Sequence, residues 1–262
     1  MERRLNIKIL DMEAGGILVT EINDLAQLNA IRFPMLVELD IHTFENDELK
    51  LLPILSNKER QKYITYKHWK DARRYILSRA ALRLILSNFC LIPYSKLEFG
   101  ETIDKKPFLV QSGQRKIEFN LSHTDKKIVI AVDEHPIGVD VESSINNIRT
   151  DLIGKRVLTI QEQISVANST NAKRAFCLYW TRKEAFLKAI GKGIDDDIVK
   201  VPALEGQYQY WLSDTFGYDD WTIASLEGGD DHIVSLAFQS QSATTKPSRI
   251  KLSKASLLTS LR

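Results

Sequence analysis

Asp133-Glu134-His135-Pro136-Ile137-Gly138-Val139-Asp140-Val141-Glu142 decides how this chain of 262 residues divides. Its first four residues are a polar cluster ending in proline, a turn signal between two β-rich runs. The last six alternate, with Ile137, Val139 and Val141 on one face of a strand and Gly138, Asp140 and Glu142 on the other. At about 3.3 Å per residue the two carboxylates stand roughly 7 Å apart and point the same way. The solvent-facing side of an antiparallel strand would show the same pattern. Two carboxylates so placed also suit Mg²⁺, which takes oxygen ligands. A glycine within a strand marks close approach by a ligand or another backbone.

Working outward from that turn, each side holds strands and a long helix. β-rich runs lie near 5–10 and 16–20, and a block of them spans 98–142. Ser56-Asn57-Lys58-Glu59 reads as a capping box, and about 69 to 89 reads as a helix with an apolar stripe through Tyr75, Leu82, Ile85 and Phe89. Downstream, Thr159 and Glu162 repeat the capping signature, and 173–190 reads as a second long helix, stopped by Gly191. Further β-rich runs follow at 207–212, 221–226 and 232–238. The expected fold is α+β, in two similar halves, each with a mostly antiparallel sheet and a long helix. The boundaries expected are 1–136 for the first half, 137–240 for the second and 241–262 for a basic polar tail. From 239 onward five cations stand with no carboxylate. That composition predicts a disordered or loosely docked tail, offering its charge to an acidic partner.

Composition narrows the class. Apolar residues make up 44% and charged ones 27%, which excludes a disordered chain. Lys plus Arg exceed Asp plus Glu by 36 to 34, too even for a dedicated binder of nucleic acid or membrane surfaces. Cys90 and Cys177 form no CxxC, so neither a disulfide framework nor a zinc site is expected. No apolar run approaches the ~18 residues of a membrane span, and Met1–Asn6 lacks a signal-like apolar stretch. A reducing cytoplasm is the expected location.

The even total hides local charge. Residues 58–83 hold nine Lys/Arg against Glu59 and Asp71, a local +7. This is either a solvated helix face or an anion-binding surface, and arginine forks suit phosphate. In the second long helix, Phe176, Tyr179, Trp180, Phe186, Leu187 and Ile190 share one sector about 120° wide at 100° per residue. Lys183 falls in its middle, either snorkelling or placed for a purpose. Glu184 and Lys188, one turn apart on its flank, read as a surface pair in isolation. Beside an acidic strand they become a third carboxylate and a cation, the needs of a metal-bridged phosphate ester. Gly191-Lys192-Gly193 is no Walker loop, since no GxxxxGK[ST] occurs.

Four segments, in order, resemble the Sfp-type 4′-phosphopantetheinyl transferases. They are Lys105-Lys106-Pro107, Asn120-Leu121-Ser122-His123, the strand Ile137–Glu142, and Trp180-Thr181-Arg182-Lys183-Glu184-Ala185-Phe186-Leu187-Lys188. The resemblance covers roughly 55–240 and implies a pseudo-dimeric fold of two α+β halves with coenzyme A bound between them. It implies that Asp140, Glu142 and Glu184 hold Mg²⁺ and that Lys188 contacts the pyrophosphate. Lys62, Arg74, Lys106, Ser122 and His123 are implied to bind the nucleotide and its 3′-phosphate. The implied activity is that of a holo-[acyl-carrier-protein] synthase, which moves phosphopantetheine from coenzyme A to a serine of an apo-acyl or peptidyl carrier. Glu184 is the first choice for the base, Glu142 the second. One departure stands out: the family usually has glycine where this chain has Lys105. A monomer with no nucleic-acid or membrane partner is expected. The rival readings are a Mg²⁺-dependent pyrophosphatase acting on coenzyme A-like nucleotides, and a nucleic-acid-binding module using 58–83.

Overall fold

The computed structural model describes residues 5–12, 17, 19–110, 115–144, 150–193, 196–210, 220–239 and 246–259. Along the chain run strands β1 (Leu5–Met12), β2 (Val19–Ile22) and β3 (Met35–Asp40), then helices α1 (Asn57–Tyr63) and α2 (Trp69–Cys90). Strands β4 (Phe99–Glu101), β5 (Pro107–Leu109), β6 (Glu118–His123), β7 (Lys127–Asp133) and β8 (Ile137–Ser143) follow. Helices α3 (Thr150–Val157), α4 (Ile160–Asn168) and α5 (Ala172–Ile190) precede strands β9 (Gly206–Tyr210), β10 (Asp220–Gly229), β11 (His232–Gln239) and β12 (Ser248–Leu252). Helix α6 (Lys254–Leu258) closes the series.

Local chemistry explains the helix ends. Ser56 accepts from the Glu59 amide at 3.3 Å while Glu59 accepts from the Ser56 amide at 2.8 Å, and Thr159 and Glu162 repeat the exchange at α4. Helix α5 starts on Asn171, which accepts from the Arg174 amide, and stops at Gly191, whose φ of 75° lets the chain turn left-handed. Among the described residues no helix is long and apolar enough to cross a membrane.

Two compact units result. The first contains Met1–Ile17, Thr102–Lys106 and His135–Lys246; the second contains Leu18–Glu101, Pro107–Glu134 and Pro247–Arg262. The first unit's sheet has the order β8-β11-β10-β1-β9, antiparallel except for the β1/β10 pair. Helix α5 packs on it around Phe176, Ala185, Phe186 and Leu187. The second unit's sheet has the order β2-β12-β3-β7-β6, and helix α2 lies in the core built on it, burying Ile76, Leu77, Leu84 and Ile85. Here two of the four pairings are parallel, and β12 makes both.

These units share the architecture expected, a sheet and a long helix each, but the termini depart from the expected cuts. Strand β1 belongs with the sheet built mostly from the second half of the chain. Strand β12 lies inside the other sheet, between β2 and β3, rather than in a loose tail. The reason is visible in its pattern: Ile250 and Leu252 are buried, and the intervening charges are neutralised. Arg249 meets Glu38, Lys251 meets Asp40 at 2.8 Å, and Lys254 meets Asp47. Three of the tail's five cations therefore face acids of its own chain. Residues 240–245 and 260–262 lie outside the described set.

Candidate functional site

Gly138 sets the geometry of the acidic strand. A Cβ there would lie 2.1 Å from the Ala185 carbonyl oxygen and 2.4 Å from the Ala189 amide nitrogen. Only glycine lets the backbone of α5 descend onto β8, so the close approach foreseen at this position is made by another backbone. The face that carries Gly138, Asp140 and Glu142 is thus covered by a helix instead of solvent. Asp140 and Glu184 are buried, and Glu142 is half-buried. Lys188 reaches Asp140, Nζ to Oδ1 at 2.6 Å, so it serves the strand's carboxylate rather than forming a surface pair with Glu184.

Three carboxylates thus interact around one ammonium. Burial pushes the Glu184 carboxyl up to about 7, the charge of Asp140 adds to the rise, and Lys188 only partly offsets it. Glu142 is likewise pushed up to about 7, by burial and then by Asp140. Oε1 of Glu184 is buried without a hydrogen-bond partner, which is unfavourable for a group that ionises near neutral pH. Among the described residues no three His, Cys, Asp or Glu side chains converge as a ready-made metal cage. The chemistry of these side chains nevertheless fits a hard dication: they offer carboxylate oxygens, they crowd one another, and Glu184 keeps an orphaned oxygen.

Lys106 belongs to the same unit and donates from Nζ to the Ala189 carbonyl at 2.7 Å, at the end of α5. The turn before it closes without glycine. Lys105 takes a φ of 62°, its amide donates to the Thr102 carbonyl at 2.9 Å, and the Lys106 amide reaches Thr102 Oγ1 at 3.1 Å. Left-handed backbone at a lysine is unusual, and these hydrogen bonds hold it.

The second unit carries Lys62, Arg74, Ser122 and His123. Ser122 and His123 end strand β6, the first buried and the second exposed. Lys62 lies over the Tyr75 ring at 5.6 Å and lines a cavity of about 630 Å³ together with Lys58, Tyr75, Arg79 and Phe99. Arg74 is held by Asp71 at 2.6 Å and by Asp125 at 2.9 Å. Acids outside the 58–83 window offset part of the local +7: Arg73 meets Glu45 and Glu48, and Arg74 meets Asp125, while inside it Arg79 and Arg83 both meet Glu59.

Two further cations of α5, Arg182 and Lys183, are buried. Lys183 neither snorkels nor reaches solvent; fully buried, it pairs with Glu162 at 3.0 Å and donates to the Val201 carbonyl at 2.5 Å. Glu162 in turn accepts from the Ala203 amide at 2.9 Å, tying α4, α5 and the segment after Lys200 together. Arg182 donates to Ser225 Oγ at 2.8 Å and the Ala203 carbonyl at 2.7 Å. A lysine in an apolar stripe and a capping glutamate in the helix before it were the available signals.

A family model of the 4′-phosphopantetheinyl transferase superfamily matches residues 136–237, the stretch holding β8 and α5. A second, of the N-terminal part of 4′-phosphopantetheinyl transferases, matches residues 44–135. The 4′-phosphopantetheinyl transferase gsp of Aneurinibacillus migulanus is 33% identical over 160 residues, 60% of this chain and 63% of its own length. A putative 4′-phosphopantetheinyl transferase of Synechocystis sp. is 32% identical over 177 residues, 66% of this chain and 72% of its own. The Sfp transferase of Bacillus subtilis is 25% identical over 160 residues, 60% of this chain and 70% of its own. The chain belongs to the 4′-phosphopantetheinyl transferase superfamily, a superfamily of transferases.

Proposed function

We propose that this protein moves the 4′-phosphopantetheine arm of coenzyme A onto a serine of an apo-acyl or peptidyl carrier protein, releasing 3′,5′-ADP. The observation that carries this reading is the crowding of Asp140, Glu142 and Glu184 around Lys188, on a strand and helix that the family model matches. The serine oxygen attacks the phosphorus that bears the pantetheine arm. The bond from that phosphorus to the bridging oxygen breaks, and the electron pair leaves with 3′,5′-ADP, a stable anion that needs no general acid. Positioning and charge neutralisation supply most of the catalysis in such transfers.

Asp140, Glu142 and Glu184 are the residues that would hold Mg²⁺, which when bound supplies neutralisation of pyrophosphate charge. Lys188, its side chain 29% exposed, can turn from Asp140 toward the pyrophosphate. Glu184 takes the proton from the attacking serine, with Glu142 the second choice. Lys62, Arg74, Lys106, Ser122 and His123 are assigned to the nucleotide and its 3′-phosphate. The buried free thiols of Cys90 and Cys177 agree with a reducing cytoplasm, where the protein would act as a monomer. The test mixes protein, coenzyme A and Mg²⁺ with a panel of apo-carriers and reads intact mass. One phosphopantetheine added to a carrier is the expected result. No gain on any carrier would overturn the reading, and 3′,5′-ADP released from coenzyme A without a carrier would replace it with a pyrophosphatase.

A further inference from the structure

We propose that the connector between α1 and α2, formed by Ile64, Lys67, Trp69 and Lys70, docks an acidic face of the carrier protein; this rests on the transfer reaction proposed above. From 60 to 70 the chain carries Arg60, Lys62, Lys67 and Lys70 with no carboxylate. All four are exposed. Set among them are two large apolar side chains in solvent, Ile64 at 74% and Trp69 at 48% exposure. An apolar centre with a rim of cations is complementary to an acidic partner that presents apolar residues of its own.

The exposure does not come from a frayed loop. The Thr65 amide donates to the Lys62 carbonyl at 3.1 Å, the Tyr66 amide to Tyr63 at 3.2 Å, and the Asp71 amide to His68 at 3.1 Å. Thr65 Oγ1 adds a bond to the Lys62 carbonyl at 2.7 Å, and the Tyr66 and Tyr75 rings pack at a 42° tilt with centroids 5.3 Å apart. A connector already ordered loses little entropy when a partner covers it. Immediately downstream the pattern changes: Arg73, Arg74, Arg79 and Arg83 all meet carboxylates of the same unit. The arginines that would grip a nucleic-acid backbone are therefore engaged, and one exposed indole is not a stacking platform. An acidic protein face is the occupant the surface fits.

Steady-state transfer with apo-carrier varied at saturating coenzyme A tests the surface. Replacing both apolar residues (I64A with W69A) should raise the carrier KM about 30-fold, the size of an interface hot spot. The kcat and the KM for coenzyme A should stay unchanged. Reversing the rim charge (K67E with K70E) should also raise the carrier KM and weaken its dependence on salt. A carrier KM unchanged in both variants, beside normal transfer by the parent protein, overturns the docking surface and leaves the transferase intact. The same holds if the charge-reversed variant loses only duplex-DNA binding. Failure of the parent protein on every carrier overturns both.

Discussion

Each long helix packs beside a cluster of buried charge, and the two clusters treat that charge in opposite ways. On α2, in the second unit, the arginines are matched at close range: Glu59 accepts from Arg79 at 2.9 Å and from Arg83 at 2.6 Å. Burial alone would raise the Glu59 carboxyl, but the Arg83 hydrogen bond and the charge of Arg79 prevail and hold it below its usual range. Beside α5, in the first unit, Asp140, Glu142 and Glu184 crowd around the ammonium of Lys188, and two of the carboxyls rise to about 7. Both clusters lie in folded, well-packed surroundings, so burial does not separate them. What differs is the ratio of acid to base. Charge that is matched contributes to folding, whereas crowded charge of one sign costs folding energy and is retained at functional sites.

The largest effect should come from emptying the crowded cluster of its most buried glutamate. Glu184→Gln keeps the shape and removes the charge. Transfer should fall by about 10³-fold, the scale of losing a group that stabilises the transition state, while coenzyme A binding remains measurable by calorimetry. The metal-free variant should also melt higher than the parent at pH 8, because a repulsive charge has gone. Near-normal transfer would remove Glu184 from the chemistry and make the crowding a mere tolerance of the fold.

The matched cluster should respond the other way. Glu59→Gln leaves two arginines in place without their carboxylate, one of them 3% exposed at its side chain. Breaking a buried pair from one side costs about 3–5 kcal/mol, so denaturant unfolding of the variant should show a loss of that order. A loss under about 1 kcal/mol would place the Glu59 cluster among surface pairs and blunt the contrast between the helices.

Much of this arrangement was legible in the sequence because it depends on local spacing. Period-two alternation gave the acidic strand, the capping pairs Ser56/Glu59 and Thr159/Glu162 gave two helix starts, and Gly191 gave the end of α5. What escaped depends on partners distant in sequence. Strand β12 was read as a tail because five residues with alternating charge look solvated until Glu38, Asp40 and Asp47 are set opposite them. Strand β1 pairs in parallel with β10, more than 200 residues away, and no local signal reports that. The +7 of residues 58–83 counts local acids alone for the same reason, since the carboxylates of Glu45, Glu48 and Asp125 lie outside that window. Lys183 stood out on the helical wheel, but a wheel cannot show that Glu162 comes to meet it.

The smallest predicted effect is also the one in which the two clusters oppose each other most directly. Glu142 and Glu184 have folded pKa values near 7 against 4.5 as the ordinary value. The metal-free folded protein therefore holds protons that the unfolded chain releases, and each carboxyl stabilises the fold fully below about pH 4.5 and less and less as pH rises through 7. Glu59 has the reverse sign: its contribution is present above its ordinary value of 4.5 and is lost as pH falls through its lowered folded value. Between pH 5 and 7.5, then, the crowded pair titrates while Glu59 does not, and the loss should be about 2 kcal/mol for Glu184. Calorimetric melts in chelator across that range should show Tm falling in the parent and falling less in Glu184→Gln, the difference between the two isolating this carboxyl from the histidines. Mg²⁺ added at pH 8 should raise the parent's Tm and leave the Glu142→Gln/Glu184→Gln protein where it was, because a cation restores only what crowding had removed. Parallel Tm curves for parent and variant would mean that Glu184 is already satisfied in the folded protein, and the contrast between matched and crowded charge would then rest on Glu142 and Asp140 alone.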